Sequence, residues 1–168
     1  ATVIRNAASM EMTGIELELM YQVTEAWDLM VTYGYLEAEY KDYLADLTGD
    51  GVITDNSGLI PRNTPENTFG FTTSYTAQLG NGELKGRVSY RFRDEMNSDS
   101  SNNPLGDLDS IENVNATLSY SVDNYSITLW GRNLTDEREQ RWATIGGLTS
   151  RGWWNEPSTV GVTFNVSY

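Results

Sequence analysis

Apolar and polar residues alternate with a period of two along most of this chain, the pattern of strands with one greasy and one hydrophilic face. Across 14–23, Ile15, Leu17, Leu19, Tyr21 and Val23 fall on one side and Glu16, Glu18, Met20 and Gln22 on the other. From Trp27 onward, Leu29, Val31, Tyr33 and Tyr35 oppose Asp28, Met30, Thr32 and Gly34. The pattern returns over 69–79, 84–93, 113–122, 125–132 and 159–168. No long segment spaces its apolar residues three and four apart, so no amphipathic helix is predicted. Each predicted strand has about ten residues, long for a soluble sheet and suited to a tilted strand crossing a bilayer.

The connections sort by length. Thr24-Glu25-Ala26, Gly80-Asn81-Gly82 and Asp123-Asn124 are short, and the latter two carry hairpin turn chemistry. Between them lie long polar stretches over 44–65, 94–109 and 134–155. Strict alternation of short and long connections is the mark of an outer-membrane barrel, with tight turns on the periplasmic side and long loops outside. Aromatic residues fall near both ends of the strands, with Tyr21, Trp27 and Tyr125 by the short turns and Tyr35, Phe69 and Phe92 toward the long loops. Such girdles suit the headgroup regions, although cross-strand aromatic pairing also produces them.

Composition removes several function classes. The chain has 168 residues, no Cys and no His, so Ser-His-Asp and Cys-His chemistry are excluded and a catalytic role is not expected. A net charge of -13 repels phosphate backbones, so nucleic acid is not an expected partner. No leader pattern precedes Ala1. Counting strands back from Tyr168, which should end in the periplasm, puts the segment near Asn6 outside the cell. A complete barrel enters from the periplasm with an even number of strands, so a further strand is expected upstream, or within Ala1 to Arg5.

Several segments in order resemble TonB-dependent receptors. Asn6 through Glu18 is similar to a receptor strand with an Asn-Ala stretch and a Gly-apolar-Glu-apolar-Glu signature. Arg62-Asn63-Thr64-Pro65 before a Phe-rich strand, Asn133-Leu134-Thr135-Asp136 after the penultimate strand, and an aromatic-terminated final strand over 157–168 are also similar. The resemblance implies an all-β, antiparallel transmembrane barrel of about 22 strands, of which this chain supplies about seven C-terminal ones, with the plug domain elsewhere. It implies active uptake of a scarce nutrient such as a ferric siderophore across the bacterial outer membrane. The TonB system would act through the plug, and lipid and the barrel-assembly machinery would be partners. The final strand looks like the assembly signal in Thr159, Gly161, Phe164 and Val166, with Tyr168 as the terminal aromatic.

Other chemistry is local. Lys85, Arg87, Arg91 and Arg93 share one face of a strand, with Arg132 on another. They could attract an anionic solute, or pair with acids such as Glu16 and Glu18. Arg138, Arg141, Trp142, Arg151, Trp153 and Trp154 lie in the last long loop, as recognition residues or as loop packing. Asp46, Thr48 and Asp50 alternate ahead of Gly51, like the front of a calcium loop. Position twelve is Ser57 rather than an acid, and Asp55 falls two residues early; the alternative is a solvated acidic turn. Asp136, Glu137 and Glu139 read as a solvated charge run. Two other functions fit the pattern: a small closed barrel with an adhesion or structural role, and a secreted β-sandwich that binds carbohydrate.

Overall fold

The computed structural model describes residues 8–138, 140–146 and 149–167. Seven long strands form one antiparallel meander. They are β1 (Ala8–Thr24), β2 (Trp27–Ala45), β4 (Asn67–Leu79), β5 (Gly82–Arg93), β8 (Ile111–Val122), β9 (Tyr125–Arg132) and β12 (Thr159–Val166). The long connections carry short elements of their own. These are β3 (Thr54–Asp55), which pairs with the end of β2, the ribbon of β6 (Met96–Asn97) with β7 (Asp107–Leu108), a single 3₁₀ turn at Pro104–Gly106, and a hairpin of β10 (Gln140–Gly146) and β11 (Thr149–Trp154). The first long connection begins one residue beyond Ala45 because β2 runs 19 residues. Among the described residues β1 pairs only with β2 and β12 only with β9, so the sheet is open at both ends.

Pairing carries the sequence alternation across the whole sheet. Residues directly opposite in an antiparallel ladder share a face. The row Leu19, Val31, Phe71, Tyr90, Val114 is continuous, as is the row Tyr120, Ile127, Phe164. The other face carries the rows Glu18, Thr32, Gly70, Arg91, Asn113 and Gln22, Asp28, Ser74, Arg87, Thr117, Trp130, Gly161. A slip of one residue anywhere would exchange the two faces.

Among the described residues no second layer packs on the apolar face. Val162 and Phe164 remain 62% and 64% accessible, and Ile15, Leu17, Leu19 and Leu129 are exposed as well. Leaving one such side chain in water rather than in an apolar medium forgoes about 1.5–3 kcal/mol, and the same penalty repeats over the sheet. A secreted sandwich would pack this face against a partner sheet; the geometry does not fit that alternative. It fits acyl chains.

The buried apolar residues sit instead among the long connections. Leu108 is 1% accessible, and Ile111 and Tyr43 are also buried. Tyr40 packs on Tyr43 with ring centroids 4.4 Å apart. The first two connections are tied together by backbone and amide groups. The Asn102 side chain accepts from Ile60 N at 2.7 Å and donates to Ile60 O at 2.8 Å, copying a strand bridge. Asn63 N donates to Asn97 O at 2.8 Å, and the Asp94 carboxylate accepts from both Asn67 N and Asn67 Nδ2. The opposite end of the sheet has only tight turns. Gly80 (φ +63) and Asp123 (φ +50) supply the left-handed residues these turns need, and Asn124 and Ser167 exchange two hydrogen bonds at 2.8 and 2.9 Å.

Candidate functional site

The polar face forms a shallow hollow of about 820 Å³ over β1, β2, β4 and β5. Its floor is small: Thr32, Gly34, Thr68, Gly70, Thr72 and Ser89. Glu16 and Glu18 on β1 stand on one side, and Arg91 and Arg93 on β5 on the other. The register explains the separation. Glu18 and Arg91 lie in one row with Thr32 and Gly70 between them, about 14 Å apart at the backbone. Gly70 leaves space that Thr32 uses, since a Cβ there would press on Thr32 Oγ1 and force that side chain to turn. The floor between the charged walls therefore stays low.

Sequence periodicity placed Arg87, Arg91 and Arg93 on one face, and the structure brings them together there, opposite Ser74, Gly70 and Thr68. Arg93 also donates to Asp109 O at 3.0 Å, joining the wall to the second long connection. Arg87 lines a second hollow with Lys85, Met20 and Met30 nearer the short turns. Arg132 is apart from this band, on β9, two strands along the sheet from β5. Its guanidinium lies 5.3 Å from the ring centre of Trp130. At the far end of the β1–β2 ribbon, Lys41 pairs with Glu11 at 3.3 Å and with Glu39.

The last long connection, read from the sequence as a long polar loop over 134–155, carries a hairpin. Trp142 pairs with Trp153, and Thr144 with Arg151. Trp153 is 74% accessible, and Trp154 and Arg151 are exposed beside it. The hairpin lies next to the Pro104–Gly106 turn, so the second and third long connections adjoin. The side chains of Arg141 and Trp142, and Glu139 and Tyr168 altogether, lie outside the described residues, as do 1–7.

In the first long connection the Asp46 carboxylate is occupied by backbone amides. It accepts from Gly49 N at 2.6 Å and Gly51 N at 2.7 Å, with Thr48 Oγ1 at 3.3 Å. Gly49 and Gly51 are left-handed (φ +79 and +88), which lets the chain wrap round that carboxylate. The amides of Gly51 and Gly49 hold its pKa below the ordinary 3.8. Asp50 accepts from Val52 N and Asp55 from Ser57 N, so Asp46 with Thr48, Asp50, and Asp55 close three separate turns. Among the described residues no group of three or more acids is gathered for a metal ion.

Asn133 is a hub that the sequence motif did not reveal as such. It is 5% accessible and left-handed (φ +49). Its Oδ1 accepts from Asn113 Nδ2 at 3.0 Å and Glu137 N at 3.1 Å; its Nδ2 donates to Glu137 O at 2.9 Å and Glu156 O at 3.0 Å. Its own N–H donates to Asn115 Oδ1 at 2.9 Å. The residues of the final strand are placed as follows. Gly161 lies under the indole of Trp130, whose Nε1 donates to Thr163 Oγ1 at 3.1 Å, while Phe164 and Val166 face outward opposite Ile127 and Tyr125. Thr159 pairs with Arg132 at the start of the strand.

An open antiparallel wall, greasy outside and hydrophilic within, with all long loops at one edge, is the wall of an outer-membrane barrel. Residues 1–134 match the family described as TonB dependent receptor-like, beta-barrel, and the chain belongs to that family. Its members are outer-membrane transporters rather than enzymes, which also removes the small closed barrel from consideration. Two solved structures are similar in fold. The ferric yersiniabactin uptake receptor FyuA from Yersinia pestis superposes with a TM-score of 0.82 at 18% identity, covering 97% of this chain and 24% of that one. The siderophore receptor PiuA from Acinetobacter baumannii superposes with a TM-score of 0.78 at 23% identity, covering 97% of this chain and 22% of that one. The chain thus spans about a quarter of the length of either receptor.

Proposed function

We propose that this chain is wall and loop of a TonB-dependent transporter that takes up a ferric siderophore or a similar chelate. The carrying observation is the charged hollow of the inner face, where Arg91 and Arg93 stand over a floor of small residues, with Arg87 on the same face of β5 lining the adjoining hollow. A basic wall in a confined, polar lumen attracts an anionic solute. The two similar structures, a ferric yersiniabactin uptake receptor and a siderophore receptor, support the same class. Under this reading a plug domain fills the lumen, the TonB system acts on that plug, outer-membrane lipid covers the apolar face, and the assembly machinery reads β12. The exposed Trp153, Trp154 and Arg151 offer solute contacts from the loops.

The test is uptake by the full-length protein in iron-starved cells lacking their own receptors, against a panel of labelled ferric chelates. One chelate should enter in a TonB-dependent manner. Replacing Arg87, Arg91 and Arg93 by Gln should weaken its uptake by about tenfold, the effect of one lost charge-assisted contact, with the amount of folded barrel unchanged. Uptake of no iron chelate, alongside uptake of a different solute, would reject the substrate class.

A further inference from the structure

We propose that Asn133 and Asp136 form a register clasp for the terminal strand, fixing where β12 begins before its other edge has a partner. The problem they solve is visible in the topology. β12 has eight residues and pairs with β9 alone among those described. Its outward residues, Val160, Val162, Phe164 and Val166, alternate with Gly161, Thr163 and Asn165. A slip of one residue would turn the apolar set into the lumen. It would keep most ladder hydrogen bonds, so the backbone alone selects weakly against it.

The clasp acts at the entry to β12, where a slip must start. Asn133 Nδ2 holds Glu137 O and Glu156 O together, at 2.9 and 3.0 Å, closing the base of the third long connection. Asn155 Nδ2 holds the same Glu137 O at 2.9 Å. Two residues further, the Asp136 carboxylate accepts from Ser158 N at 2.9 Å, immediately before the strand. The clasp is itself anchored to β8. Asn113 and Asn115 bind Asn133, Leu134 N donates to Val114 O at 2.8 Å, and Thr135 Oγ1 donates to Glu112 O at 2.8 Å. Both clasp residues are left-handed, at φ +49 and +52, a conformation that Asn and Asp tolerate and that aims their short side chains back at the chain. The bonds that hold the entry lie at Glu156 and Ser158, so register is decided before any residue of β12 meets lipid.

The experiment uses the full-length protein, with any cysteine outside this segment changed to serine; the segment itself has none. Asn133→Gly and Asp136→Gly delete the side chains while keeping the left-handed backbone unstrained. Two cysteine pairs read the register during refolding into detergent micelles. Ser126→Cys with Asn165→Cys are direct partners in the native ladder. Ile127→Cys with Asn165→Cys lie on opposite faces natively and meet only after a one-residue slip. The clasp predicts that the double glycine variant raises the slipped crosslink by at least about tenfold relative to the unaltered background, equivalent to about one buried hydrogen bond of selection. If the variant does not fold, a disulfide formed beforehand in the denatured Ser126→Cys, Asn165→Cys pair should restore folding. A variant that folds with the native crosslink alone, or one that the native disulfide fails to rescue, overturns the proposal.

Discussion

Gly161 sits where any side chain would collide with the barrel's inner wall. A Cβ there would lie 2.3, 2.6 and 2.8 Å from Cζ2, Cε2 and Cη2 of Trp130. These are atoms of a rigid ring, so relief requires the indole to swing by about 1 Å to reach ordinary contact. That swing strains the Nε1 bond to Thr163 Oγ1 and lifts the ring from the Arg132 guanidinium. The hydrogen bond contributes about 0.5–1.5 kcal/mol, the half-exposed cation–ring contact about 0.5, and overpacking about 1–3. Alanine returns about 0.5–1 kcal/mol by restricting the unfolded chain, and the φ of Gly161 is not left-handed, so its backbone accepts alanine. The net expectation for Gly161→Ala is a loss of about 1–4.5 kcal/mol, read as a lower urea midpoint with an unchanged slope for the full-length protein in vesicles. The decisive arm is the Trp130→Ala background. With the ring gone, Gly161→Ala should become neutral or stabilising by up to about 1 kcal/mol. An equal loss in both backgrounds would refute the steric account.

Three further outcomes follow from the same geometry. Leu118→Arg, on the outer face in the row with Leu129 and Val162, should lower folding stability in bilayers by about 2–4 kcal/mol; Thr117→Glu, one residue earlier and opposite Arg87, should change it by less than about 1 kcal/mol. Asp46 has a folded pKa below 3.8, so its contribution is complete above that value and is lost as pH falls through the lowered one; the protection of the Gly49 and Gly51 amides, measured against the intrinsic exchange rate at each pH, should fall only in that acid range, and a loss of protection near neutral pH would contradict the bonding. Asn102→Ala removes both bonds to Ile60 and should raise proteolytic cleavage within 56–63 and 98–103 several-fold, with the seven-strand wall uncut, as expected for about 1–2 kcal/mol of lost loop coupling.

The strands were legible because each residue's face depends on its neighbours two positions away. Lipid and lumen impose that rule on every strand, so Leu17, Leu19 and Tyr21 declare their side locally. The Arg87, Arg91 and Arg93 band followed from the same arithmetic. The β10–β11 hairpin was hidden by its polarity, since Thr144, Thr149, Ser150 and Arg151 read as loop. The Asn133 hub could not be read locally. Its partners at 113, 115 and 156 become neighbours only through the order of the sheet. The knot between Ile60 and Asn102 joins residues 42 positions apart for the same reason. Paired recognition of Asp46 by Gly49 and Gly51 amides was half visible: the glycines marked a tight turn, and the calcium pattern competed for the same residues.

The strands share a level floor at the short turns but end at different heights. β2 has 19 residues and β12 has eight, a difference of about 35 Å of extended chain, or roughly 27 Å of elevation at the tilt usual in such walls. The ladder is therefore tall on one flank and short on the other, where the connection over 133–158 takes its place. Tyr40, Lys41 and Tyr43 are carried by the main sheet itself, whereas the exposed Trp153 and Trp154 are carried by a separate two-stranded ribbon. One side of this rim shares the stiffness of the wall, and the other can flex on its own hinge.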